Sequence, residues 1–209
     1  MIPTLLTAAS RVVRDAGDLP PLVVSLLADD EDAQAVEAGA EVIPPSMVLI
    51  APCVEVTAAE QLAVVHAFAH AQGWEVSQPD DWWETSGQVD GVRVLVQSVS
   101  SFGYVSDPRS PSASTVAHAD LLAALIPWAA ELPAREIGLF QVAELPTGLE
   151  VRLEVSTDGM RLISDKYGPW ESSKTHVPWL GSGERADYGS AWMRGTTPTA
   201  HPLKVSTSW

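Results

Sequence analysis

Between Thr57 and Val99 the chain spells out both ends of a helix and the tip of a hairpin, and no other stretch restricts the fold as tightly. Thr57 followed by Glu60 has the form of a capping box, in which the hydroxyl accepts a first-turn N–H and the carboxylate reaches back to the cap. Gly73 supplies the left-handed residue that stops the helix. Between them Leu62, Val65 and Ala69 recur at helical spacing, and Val64 and Phe68 widen the apolar face. Trp74 to Val76 then reads as a short strand, Pro79-Asp80 as a turn, and Trp82 onward as a strand again. Asp90-Gly91, preceded by Val89 and followed by Val92, Val94 and Val96 on one face, predicts a tight hairpin with positive φ.

The rest of the chain is less explicit. Thr4 to Asp15 reads as a helix ended by Gly17, and Leu19-Pro20-Pro21 as a rigid connector. Leu22 to Leu27 is a short apolar run that fits either a buried strand or the start of a helix. The acidic run Asp29, Asp30, Glu31 and Asp32 suits a helix N-terminus continuing through Ala33 to Ala38, and Met47 to Ala51 reads as a strand. A β-α-β-α succession with a parallel pair is one arrangement of these pieces. Ser98 to Ser114, rich in Ser, Pro and Gly, predicts an exposed loop. Leu121, Leu122, Leu125 and Trp128 mark a further helix that Pro127 should kink or split. Ile137 to Glu144 and Leu149 to Val155 read as strands joined across Pro146-Thr147-Gly148, and Asp158-Gly159 as a turn into a third strand, Met160 to Ile163.

These pieces predict an α+β fold of helices on small antiparallel sheets. Residues 1–105 would form an acidic N-terminal part, 115–165 a second helix-hairpin unit, and 166–209 an irregular, extended C-terminal arm. Leu62 to Val96 and Leu122 to Leu153 share the order helix, strand, turn, strand. Two similar helix-plus-hairpin units are therefore a further expectation, with Val94 and Val96 matched to Val151 and Leu153.

Charge is distributed unevenly. The chain has 209 residues, 46% of them hydrophobic, and a net charge of −15. Fifteen carboxylates and no lysine or arginine fall between Asp15 and Gly91. Affinity for phosphates is built from lysine and arginine, so such a surface argues against direct nucleic-acid binding. No apolar stretch is long enough to span a membrane and Met1-Ile2-Pro3 does not open a signal peptide, so the expected setting is cytoplasmic, with incorporation into a virion as an extension. The single cysteine, Cys53, reads as a small buried apolar residue and excludes an internal disulfide framework.

The C-terminal stretch looks made for contact. Trp170, Trp179, Trp192 and Trp209 are spaced among Gly, Pro, Ser and Thr, where a disordered tail would lack aromatics. Arg194 and Lys204 follow Tyr188 with no acidic side chain after it. Together with Asp29, Asp30, Glu31 and Asp32 these are the expected partner-binding residues, in a head-to-tail contact between copies or a fold-back on the same chain.

Chemistry is thinly signalled. His66 and His70 lie one helical turn apart but lack a third ligand, so no metal or cofactor is expected. The run Asp29 to Asp32 lacks the pattern of a calcium loop. Asp80, Asp81 and Glu84 beside Trp82 and Trp83 form the one grouping compatible with glycoside chemistry. Nine arginines against three lysines, the helix-hairpin grammar and the aromatic arm make the chain similar in style to small accessory proteins of bacteriophages with GC-rich hosts, without a shared motif. The expected function is that of a non-enzymatic structural or assembly protein, plausibly a phage virion accessory component, whose partners are other protein subunits, copies of itself included. An acidic DNA-mimic inhibitor is the first alternative, and a carbohydrate-active or metal-dependent enzyme the second.

Overall fold

The computed structural model describes residues 1–20, 22–29, 42–52, 57–79, 82–98, 115–145, 148–167, 170–178 and 187–208. In chain order the elements are α1 (Ile2–Asp15), β1 (Leu22–Leu27), β2 (Met47–Pro52), α2 (Ala58–Gln72), β3 (Val76–Ser77), β4 (Glu84–Val89), β5 (Val92–Gln97), α3 (Thr115–Ala129), β6 (Ile137–Leu145), β7 (Gly148–Val155), α4 (Thr157–Tyr167), β8 (Glu171–Pro178), β9 (Asp187–Thr196) and β10 (Pro202–Ser208). All ten strands join one mixed sheet in the order β3-β4-β5-β2-β1-β6-β7-β10-β9-β8. The expected small antiparallel sheets are therefore replaced by a single large one. Its halves meet in the antiparallel β1–β6 ladder, and it contains two parallel pairs, β2–β5 and β7–β10.

The local signals of the central helix are realised. Thr57 Oγ1 accepts from Glu60 N, the Glu60 carboxylate accepts from Thr57 N at 2.7 Å, and Gly73 ends α2 at φ 70°. These hydrogen bonds to Thr57, the backbone one foremost, hold the Glu60 carboxyl below its ordinary value. A carboxyl depressed in this way stabilises the fold at neutral pH, and the contribution fades only as pH falls through and below the usual carboxylate range. Thr57→Ala should cost about 1 kcal/mol in urea unfolding and leave the first turn of α2 the earliest to exchange amide hydrogens. Asp90 and Gly91 both have positive φ, so the β4–β5 hairpin turns where the sequence says it should.

The second half departs from expectation in two places. Met160 to Ile163 is not a strand but part of α4, whose first turn is tied down by Gly159 N donating to Ser156 Oγ. Asp158-Gly159 resembles a turn in sequence, yet Gly159 is there for space: an added Cβ would lie 2.7 Å from Glu136 Cβ and 3.1 Å from Glu136 O. Nor is the stretch from Lys166 onward an irregular arm. After the end of α4 it supplies β8, β9 and β10, with Leu203 and Val205 buried in the core. Its alternation escapes notice because serine, threonine, lysine and glycine occupy many of its strand positions. Pro127, close to the end of α3, leaves that helix continuous.

A repeat is present, in a phase other than the expected one. Among the described residues each half runs helix, two strands, helix, three strands, and each lays its strands outward from the middle in the same order, β1-β2-β5-β4-β3 against β6-β7-β10-β9-β8. The β1–β6 ladder is centred on Ser25 opposite Gln141. Taking that pair as a twofold point and following the registers outward, Val48 corresponds to Val151, Val94 to Leu203, and Gly87 to Gly195. The expected match of Val94 with Val151 is thus replaced. In the helices, Leu5-Leu6 of α1 and Leu121-Leu122 of α3 precede the twofold point by the same number of residues and are all buried. Across this axis the two helices pack on each other, with Ser10 Oγ donating to Ala119 O at 2.8 Å.

One core serves both halves. Val24, Leu26, Val48, Ile50, Val94 and Val96 from the first half join Phe140, Val142, Val151, Leu153, Leu203 and Val205 from the second, beneath Leu6, Val12, Phe68, Leu122 and Ile163 of the helices. Trp128 lies against Phe140 with ring centroids 6.2 Å apart, and Tyr167 meets Trp128 edge-on.

Candidate functional site: the open face of the sheet

Side chains alternate across a sheet, so placing the four described helices on one face leaves the other to residues of opposite parity. Among the described residues, no helix packs on that second face. The ladders align one row of side chains across it: Glu171 of β8, Arg194 of β9, Lys204 of β10, Arg152 of β7, Gln141 of β6, Ser25 of β1, Leu49 of β2, Leu95 of β5 and Ser86 of β4. One end of this row carries charges of both signs, with Glu171 opposite Arg194 and with Glu150 and Glu154 beside Arg152 on the same face, and the stretch past the middle is apolar. Val23, Leu27 and Leu139, on the same face beside the twofold point, are partly exposed and extend the apolar side.

The three bases at the charged end are brought together by register alone. Arg194, Lys204 and Arg152 come from three neighbouring strands and stand about 4.8 Å apart from strand to strand. Arg152 is held by Glu150 at 2.5 Å, two residues away on the same face. Arg194 lies 5.0 Å over the Trp192 ring, which orients the guanidinium without neutralising it. Among the described residues, neither Arg194 nor Lys204 forms an ion pair. At the middle of the row Gln141, 7% exposed, donates from Nε2 to Ser25 Oγ at 3.0 Å, while its Oε1 is buried without a hydrogen-bond partner among the described residues.

The expected partner-binding residues divide across this geometry. Trp192, Arg194 and Lys204 come together on the open face. Trp170 does not join them: it packs on the helix side of the sheet against Gly195, and its Nε1 donates to Ser164 O of α4 at 3.2 Å. Asp29 is engaged by Arg93. Trp179, Trp209, Asp30, Glu31 and Asp32 lie outside the described residues, as do Asp80, Asp81 and Cys53. Arg152, Gln141, Leu49 and Leu95 were missed. Arg152 could have been found from the alternation of Leu149, Val151 and Leu153 with Glu150, Arg152 and Glu154, but the near-continuous apolar runs of β1 and β2 hide which face is open.

The acidic interval is partly answered within the chain. Arg11 pairs with Asp90 at 3.1 Å and lies 4.0 Å from Asp15, while Glu60 is spent on its helix cap. Such carboxylates are not laid out as free phosphate mimics. Among the described residues, catalytic groupings are equally sparse. His66 and His70 point to solvent from α2, and Glu84 accepts from Trp82 Nε1 and Gln97 Nε2. No cluster of three metal-ligating side chains occurs among the described residues. No helix among them is long and apolar enough to cross a membrane.

Comparison with known proteins adds little to this geometry. No family model matches the chain, and no curated protein matches it. A crystal structure of a glyoxalase/bleomycin resistance protein/dioxygenase superfamily member from Vibrio splendidus 12B01 is similar at 12% identity over 68% of this chain and 84% of that one. Its TM-score of 0.20 is too low to carry either fold or activity across.

Proposed function

We propose that this protein is non-enzymatic and works by contact with other protein subunits, as a component of a larger assembly, through the open face of its sheet. The observation that carries this reading is the divergence of that face across a symmetric scaffold. Arg152, Lys204 and Arg194 occupy the positions that Leu49, Leu95 and Ser86 hold in the other half. Equivalent strand positions make the same demands on folding, so folding alone does not call for cations in one half and leucines in the other. A partly exposed apolar patch beside a charged rim is the usual make-up of a protein-binding surface. The virion setting rests on composition alone.

A photo-cross-linking amino acid at Leu95, on the open face, and another at His66, on the outer side of α2, would test the reading in producing cells. Leu95 should yield a discrete protein adduct that His66 does not. If the two positions give the same adducts, or neither gives any, the open face is not a docking surface.

A further inference from the structure

The outer side of α2 carries a feature independent of the open face. We infer that His66 and His70 hold a divalent transition-metal cation, Cu2+, Ni2+ or Zn2+, between their two imidazoles. The residues are one helical turn apart in α2 (Ala58–Gln72), and both are exposed. Side chains at that spacing stand one above the other, with Cβ atoms about 5–6 Å apart. Two imidazoles so placed both reach one ion at the ordinary metal–nitrogen distance of about 2.0–2.1 Å. Among the described residues no hydrogen bond or ion pair engages either ring, so neither gives up a partner to take a ligand.

The helix is fixed before any ion arrives. The capping box at Thr57 and the left-handed Gly73 close its ends, and Val64, Val65, Phe68 and Ala69 seat its inner side in the core. Binding therefore orders little beyond the two rings. Ala59 and Ala63 continue the same exposed side of the helix, and their small side chains leave room for an ion and its waters. Charge favours a cation as well: α2 lies inside the interval from Asp15 to Gly91, which holds fifteen carboxylates and no lysine or arginine. In helical zinc hydrolases with this histidine spacing, a glutamate follows the first histidine and acts as the base; here that place is Ala67. No cluster of three metal-ligating side chains occurs among the described residues, so water fills the remaining positions. The pair is a binding site without hydrolytic machinery, in keeping with a non-enzymatic protein.

The test is isothermal titration calorimetry of the full-length protein with each metal salt alone, beside thermal unfolding. Imidazole ligands select Cu2+ over Ni2+ and Zn2+ and pass over Mg2+ and Ca2+, whereas carboxylates would take the last two. Cu2+ should accordingly bind most tightly, and Mg2+ and Ca2+ should give no heat. His66→Gln and His70→Gln should each weaken Ni2+ binding at least tenfold, about 1.4 kcal/mol or more. Both positions are exposed, so the metal-free melting temperature of each variant should match that of the parent. H70Q/A71H keeps the number of histidines but points the second away from His66, and it should bind no better than H70Q. The spacing exists only in the folded helix, so saturating Ni2+ should raise the melting temperature of the parent and leave H66Q and H70Q unmoved. Ni2+ binding that survives either single substitution, that A71H restores, or that Mg2+ matches overturns the inference, as does no binding at all.

Discussion

Phe140→Ala is expected to lower the free energy of unfolding by about 3–5 kcal/mol, and to do so for both halves of the sheet at once. Phe140 is fully buried on β6, faces Leu26 across the ladder that joins the halves and Leu153 on the other side, and packs under Trp128. Few neighbours can move into the space it leaves, because the backbone on each side is fixed by a hydrogen-bonded strand. Domains of this kind have about 5–15 kcal/mol in total, so the loss is a large share of the whole. Val24, which takes the same place in the first half, has less to lose, and Val24→Ala should cost about 1–3 kcal/mol. Urea unfolding followed by far-UV circular dichroism and by tryptophan emission should give coincident single transitions for the parent and both variants. A Phe140→Ala protein that unfolds in two separated steps would show that the halves are independent units merely touching along β1 and β6.

The coupling of the halves is also where sequence reading stops. Local signals close within a few residues, which is why the capping box at Thr57, the stop at Gly73 and the turn at Asp90-Gly91 are all legible. The pairing of Ser25 with Gln141 has no local trace, since any apolar strand edge could have met any other. Strand runs such as Leu22 to Leu27 are nearly uniform in hydrophobicity, and that uniformity conceals both the twofold point and the identity of the open face. At the candidate site, Trp192, Arg194 and Lys204 were legible as residues made for contact because rings and cations are unusual on a polar backbone. Their convergence with Arg152 was not, because it depends on the parallel register of β7 with β10. Trp170 looked the same as Trp192 in sequence. Only the glycine facing it tells them apart.

That glycine supports the second large prediction. Trp74 and Trp170 each follow the second helix of their half, and each lies over a glycine of the middle strand, Gly87 or Gly195, which the ladder registers make equivalent. A Cβ on Gly195 would sit 2.7 Å from Trp170 Cζ3, and one on Gly87 would fall within the Trp74 indole. Neither ring can slide far: Trp170 is tied to Ser164 O, and Trp74 follows directly on the left-handed Gly73 that closes α2. Gly87→Ala and Gly195→Ala should therefore each cost about 1–3 kcal/mol by overpacking, although alanine suits a strand better than glycine does. Trp74→Ala and Trp170→Ala should destabilise as well, by loss of buried ring area. Pairing the substitutions distinguishes a clash from a strand effect. In Trp74→Ala with Gly87→Ala, and in Trp170→Ala with Gly195→Ala, the cost should fall short of the sum of the single costs by about 1 kcal/mol or more, because an absent ring cannot be struck. Costs that simply add would mean that the glycines serve the backbone, and the two indoles would cease to be equivalent clamps holding a helix end to each wing of the sheet.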